Sequence, residues 1–202
     1  MRNIFLAILF LSFTISPLIA NDLPDELKPI HMKLGAFVNT RASISTVTIQ
    51  GYKNEPAWAP LGDIGVSMLF LQRGSIGLMF NVSMSKYSYG IYPYKDDGTK
   101  MVTTITNSTF TFNPMLYLGG FVVGYNYYLS SDTDTDGSSY GPGPTLDAGE
   151  IIAGGLIPLY SDETGSFNLN ILGSYMLDEI HTKIQPVSLS IGFSYIFNVT
   201  KY

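Results

Sequence analysis

The sequence predicts an all-β chain: eight antiparallel strands closed up-and-down into a transmembrane barrel, with the apolar side of each strand turned to lipid. Three observations predict it. Hydrophobicity alternates with period two from near residue 32 to near residue 199, the polar face of that alternation is small and uncharged, and long connections alternate with short ones.

The elements follow in chain order. Arg2, the apolar run Ile4 to Phe13, and then Ser16, Pro17 and Ala20 read as a secretory signal over 1–20, cut before Asn21. The run is broken by Ser12, Thr14, Ser16 and Pro17, and it falls short of the ~20 apolar residues of a spanning helix. Residues 21–30 are then a short periplasmic tail, and 31–202 the barrel. In the first strand Met32, Leu34, Ala36 and Val38 alternate with Lys33, Gly35 and Asn39; in the third, Ile76, Leu78, Phe80, Val82 and Met84 oppose Gly77, Asn81, Ser83 and Ser85, with Met79 as the apolar exception. Phe167, Leu169, Ile171, Tyr175 and Leu177 form the apolar face of the seventh. The last strand is the cleanest: Val187, Leu189, Ile191, Phe193, Tyr195, Phe197 and Val199 oppose Ser188, Ser190, Gly192, Ser194 and Asn198, and Ile196 alone breaks the pattern. The other strands are read at 62–72, 101–113, 115–129 and 146–158. Long connections are expected at 42–61, 88–100 and 130–145, and short ones at Gln72-Arg73-Gly74, Asn113-Pro114 and Ser161 to Ser166. Asp178 to Gln185 is intermediate. In a barrel with both ends in the periplasm, the odd-numbered connections face outward and are the long ones.

Period two alone does not distinguish this barrel from a water-soluble one such as a lipocalin. The polar face does. A soluble barrel carries Lys, Glu, Asp and Arg toward water, whereas here that face is Ser, Asn, Thr and Gly, which suit a narrow lumen where an unpaired ion is costly. Aromatic rings gather near strand ends, as at a lipid–water boundary: Tyr87, Tyr89, Tyr125 and Tyr127 toward one rim, and Phe110, Phe112, Tyr117 and Phe197 toward the other. Charged residues make up 13% of the chain, about half the share usual in soluble proteins. The formal charge is −5 with no basic run, which excludes nucleic acid as a partner. The absence of cysteine excludes disulfides, thiolate metal sites and a lipidated N-terminal cysteine.

The signal, the eight alternating segments and the aromatic-rich last strand resemble the small outer-membrane barrels typified by outer membrane proteins A and X. The resemblance covers the whole mature chain and implies residence in the bacterial outer membrane, among its lipid and lipopolysaccharide. Leu189, Ile191, Phe193, Tyr195 and Phe197 are similar to the terminal-strand signal that the barrel-assembly machinery reads in that family, although here the chain continues past Phe197 to Tyr202.

Four sets of residues are candidates for chemistry. Parity turns Lys33, Arg41 and Glu150 inward, and an Arg41–Glu150 pair across the lumen would neutralise buried charge and fill the interior. Asp132, Asp134 and Asp136, followed by Gly137, match the first half of a calcium loop, but Gly143 stands where the bidentate Glu belongs. A weakly bound calcium is the one cofactor that the sequence suggests, against a solvated acidic loop tip. Trp58, Tyr92, Tyr94 and Tyr140 are expected in outward connections as contacts for a host or surface ligand. An acyl-transfer site needs a nucleophile beside a positioned base, and neither His31 nor His181 has one in the sequence. The expectation is therefore a non-enzymatic surface protein. A narrow channel, a lipid A-modifying enzyme and a secreted lipocalin-like barrel are the alternatives.

Overall fold

In a computed structural model, the chain from His31 onward is a closed barrel in which each strand pairs with its sequence neighbours and β8 returns to β1. The structure describes residues 30–46, 52–72, 76–93, 103–135, 149–177 and 185–199. The strands are β1 His31–Ser45, β2 Tyr52–Gln72, β3 Ile76–Pro93, β4 Thr103–Leu118, β5 Phe121–Thr135, β6 Gly149–Ser161, β7 Gly165–Met176 and β8 Pro186–Asn198. All pairings are antiparallel. The expected cut at Asn21 and the tail over 21–30 lie outside the described residues, save Ile30.

Direction is as expected from the polar face. Leu189, Ile191, Phe193 and Phe197 are exposed on β8 while Ser188, Ser190, Gly192 and Ser194 are buried, and β1, β3 and β7 repeat the arrangement. Val187 to Phe197 covers about 34 Å at ~3.4 Å per residue. With a strand tilt of ~40° that is about 26 Å along the barrel axis, close to the ~25 Å apolar band of a membrane barrel. No water-soluble protein offers such a surface to solvent on every strand.

Four of the expected connections differ, for two reasons. The Asn113-Pro114 link does not exist: both residues lie inside β4, and the turn falls at Gly119-Gly120, whose φ values of 58° and 100° suit residues without a Cβ. Proline is accommodated because β3–β4 pairing runs unbroken through Phe80↔Pro114, whereas the β4–β5 ladder skips from Phe112↔Tyr127 to Met115↔Gly124. The missing N–H is spent on one side only. Second, the segments 42–61, 88–100 and 130–145 are not wholly connections, since β1 runs to Ser45, β2 starts at Tyr52, β3 runs to Pro93 and β5 to Thr135. In these extensions the period-two contrast fades, as in β3, where Tyr87, Ser88, Tyr89 and Gly90 are all buried.

The β6–β7 turn shows how a short connection is held. The Asp162 carboxylate accepts from the Thr164 amide (2.8 Å), the Thr164 hydroxyl (2.6 Å) and the Gly165 amide (3.1 Å). These bonds, led by that of the Thr164 hydroxyl, hold the carboxyl below its ordinary range. A depressed folded value stabilises the folded turn above pH of about 3.8, and the contribution vanishes as pH falls through the lower folded value. Amide exchange at Thr164 and Gly165 is therefore expected to accelerate below that range in the wild type, and to lose this pH dependence in Asp162→Asn.

Candidate functional site

The lumen is filled in layers, and register decides which residue enters which. At the end with the short turns, Leu69, Leu71, Met79, Met115, Val122, Leu156, Leu172 and Ile196 form an apolar plug. Met79 and Ile196, the two exceptions to the alternation, are inward residues of this plug. Above it, toward the long connections, lies a layer of asparagines and serines. Asn170 Nδ2 donates to Asn39 Oδ1 (3.0 Å), and Ser194 Oγ donates to Asn170 Oδ1 (2.8 Å).

Next comes the charged layer. Arg41, 2% exposed, pairs through Nη2 with Oε1 of Glu150, which is fully buried. Nη2 also donates to Ser174 Oγ at 2.8 Å, and Nη1 lies 3.5 Å from Asp63 Oδ1. Asn126 Nδ2 donates to Glu150 Oε2 (3.1 Å), and Ser190 Oγ to Asp63 Oδ2 (3.2 Å). The guanidinium stacks over Tyr87, 5.5 Å from the ring centroid. Five strands thus meet on one side chain, with both carboxylates hydrogen-bonded, the condition under which buried ions are tolerated. Room for Arg41 comes from a β2 bulge: β1 steps from Asn39 to Arg41 while β2 steps from Asp63 to Ala59. Gly62 lies in that bulge, and a Cβ there would overlap that of Arg41 and come within 2.7 Å of its backbone nitrogen.

Arg41 and Glu150 are thus brought together. Lys33 is not, since it sits at the other end of β1, level with Leu69 and Asn198. Asp63, Ser174, Asn126 and Tyr87 escaped the sequence reading. Asp63 was open to it, because Asp63, Gly65, Ser67 and Leu69 share one face. Tyr87 and Tyr89 do not face lipid: both are buried in the lumen, where Tyr87 meets Tyr128 with centroids 6.5 Å apart. Continuing the Ser83–Ser85 face by two residues places them there. Tyr117 likewise packs inward, against the plug. Tyr125 and Tyr127 pack edge to face on the outside (4.6 Å), as do Tyr195 and Phe197 at the other end (4.6 Å).

The remaining candidates move from loops to strands. Trp58 is 58% exposed, but it lies in β2 opposite Ala42. Tyr92 is in β3, paired with Lys53, while Tyr94 and Tyr140 lie outside the described residues. Asp132 and Asp134 are not at a loop tip; they pair with Ser108 and Thr106 in the β5 extension, and Asp136 lies outside the described residues. Among the described residues no group of three or more His, Asp or Glu side chains is placed to hold a metal.

Neither a family model nor a curated protein matches the sequence. Solved structures do resemble the fold. Ail, the attachment invasion locus protein of Yersinia pestis, is 9% identical with a TM-score of 0.41, over 84% of this chain and 100% of that one. The outer membrane protein OprG from Pseudomonas aeruginosa is 10% identical (TM-score 0.39; 84% and 97% covered), and the outer membrane protein AlkL is 10% identical (0.43; 90% and 98%). At these values the likeness says nothing of what the chain binds.

Proposed function

We propose that this chain is a closed, non-enzymatic barrel of the bacterial outer membrane that presents its long-connection end to the outside as an interaction surface. The supporting observation is the filled lumen: an apolar plug at one end and an ion-paired layer above it leave no continuous polar path. What remains for contact is the outer rim. There, among the described residues, β5 continues to Thr135 beyond its last pair with β6, Tyr127↔Gly149. Host-surface molecules and lipopolysaccharide are the partner classes that such a rim meets. Assembly through the outward face Leu189, Ile191, Phe193, Tyr195 and Phe197 fits the same reading.

In a planar bilayer the refolded barrel is expected to show no steady conductance. A reproducible open level would replace this reading with the channel. On intact cells, added protease is expected to cut only in the connections at the long end, leaving a trimmed barrel that still migrates as a folded, heat-modifiable band.

A further inference from the structure

One row of inward side chains in the lumen differs from its neighbours. Register places Ser67 of β2 beside Asn81 of β3, Asn81 beside Asn113 of β4, and Asn126 of β5 beside Glu150 of β6. Asn113 and Asn126 are brought level by the flanking pairs Phe112↔Tyr127 and Met115↔Gly124. The row therefore climbs without a break from β2 to the carboxylate that pairs with Arg41. Each of its four members is buried, and each holds an oxygen with no hydrogen-bond partner among the described residues: Ser67 Oγ, Asn81 Oδ1, Asn113 Oδ1 and Asn126 Oδ1.

Several polar groups on the neighbouring rows and strands satisfy one another, although Tyr87 Oη, Tyr128 Oη and Arg41 Nε are also without a partner among the described residues. Ser83 bonds Thr111 (2.8 Å) in the row above, and Ser43 bonds Ser188 (2.8 Å) across the β1–β8 seam, where Asn39, Asn170 and Ser194 form their own chain. A buried acceptor without a donor has lost its hydration with nothing in exchange, and four in a row would be a heavy load on a domain of marginal stability. Spacing suggests what relieves it. Adjacent strands are ~4.8 Å apart, which one water can bridge by donating a hydrogen bond of ~2.8 Å to each side. A cavity of about 20 Å³, lined by four polar side chains, Asn81, Asn39, Asn170 and Ser194, and by six apolar ones, opens beside Asn81. That is room for one water with several polar partners.

We propose that Ser67, Asn81, Asn113 and Asn126 hold a file of ordered waters, one between each pair of neighbouring strands from β2 to β5, ending at Asn126, which bonds Glu150 directly. The wall from β2 to β5 then carries this wet file, while on β1, β7 and β8 Asn39, Asn170 and Ser194 bond one another directly. The wet wall is closed below by the plug, so the file stores water without conducting it.

The test is water-selective NMR on the isotope-labelled, refolded barrel in micelles, in buffer free of alkali metal ions. Cross-peaks between water and the side-chain amides of Asn81, Asn113 and Asn126, with the sign of long-lived bound water, are expected. Their absence would overturn the proposal. So would cross-peaks that weaken as sodium or caesium is added, since a cation would then occupy the row. In Asn81→Leu the Asn113 cross-peak is expected to fall at least fivefold, while the Asn170–Asn39 bond persists. An unchanged Asn113 peak would count against a connected file, and the wild-type measurement decides the matter if that variant does not fold.

Discussion

Replacing Arg41 with methionine is expected to lower the unfolding free energy of the lipid-embedded barrel by about 3–5 kcal/mol, the cost of leaving a buried carboxylate without its partner. Glu150 is fully buried, and Asp63 shares the same guanidinium, so neither can be rehydrated where it stands. Denaturant titration of the folded band in vesicles measures the loss. Glu150→Gln in the Arg41→Met background is expected to restore part of it, because a neutral amide still bonds Asn126 and Ser174 without carrying charge. A loss below 1 kcal/mol in the single variant would mean that bulk solvent floods the charged layer.

Arginine in place of Phe193 is expected to cost about 2–4 kcal/mol, and in place of Phe197 no more than about 1 kcal/mol. Both rings face outward, 46% and 52% exposed, so their contacts with the protein are alike in extent. They differ in depth: Phe193 pairs with Val38 and Leu169 in mid-belt, whereas Phe197 lies at the strand end beside Gly165 and the β6–β7 turn. Equal costs at the two positions would remove depth as the cause, and with it the lipid-facing belt.

Much of this could be read from the residues. Period two assigned β1, β3, β7 and β8 and their faces because a strand that separates two solvents must sort its side chains by polarity at every step. The direction of sorting was also legible, since serines and asparagines without lysines and glutamates suit a narrow interior and not bulk water. Legibility failed where that contrast ended. In the strand extensions the period-two contrast fades, so the ends of β2, β3 and β5 looked like loops, and Trp58, Asp132 and Asp134 were displaced with them. Asn113-Pro114 looked like a turn because proline lacks a donor, and only the β3–β4 register shows that the strand passes through. Tyr87 and Tyr89 were misplaced by residue type, their size suggesting a membrane girdle while parity from Ser83 and Ser85 turned them inward.

By itself, then, the sequence determined that this chain forms a barrel, which side chains face its axis in the cleanly alternating segments, and that Arg41 and Glu150 point inward. It could not determine that Asp63 and Ser174 would gather on that same arginine and Asn126 on Glu150, or that Leu69, Met79, Met115 and Ile196 would close one end. Those contacts join positions as far as 133 residues apart, from β1 to β7. They exist only once strand tilt and the β2 bulge have set how far each strand is displaced along its neighbour, and that stagger is a property of the closed ring and of no single strand.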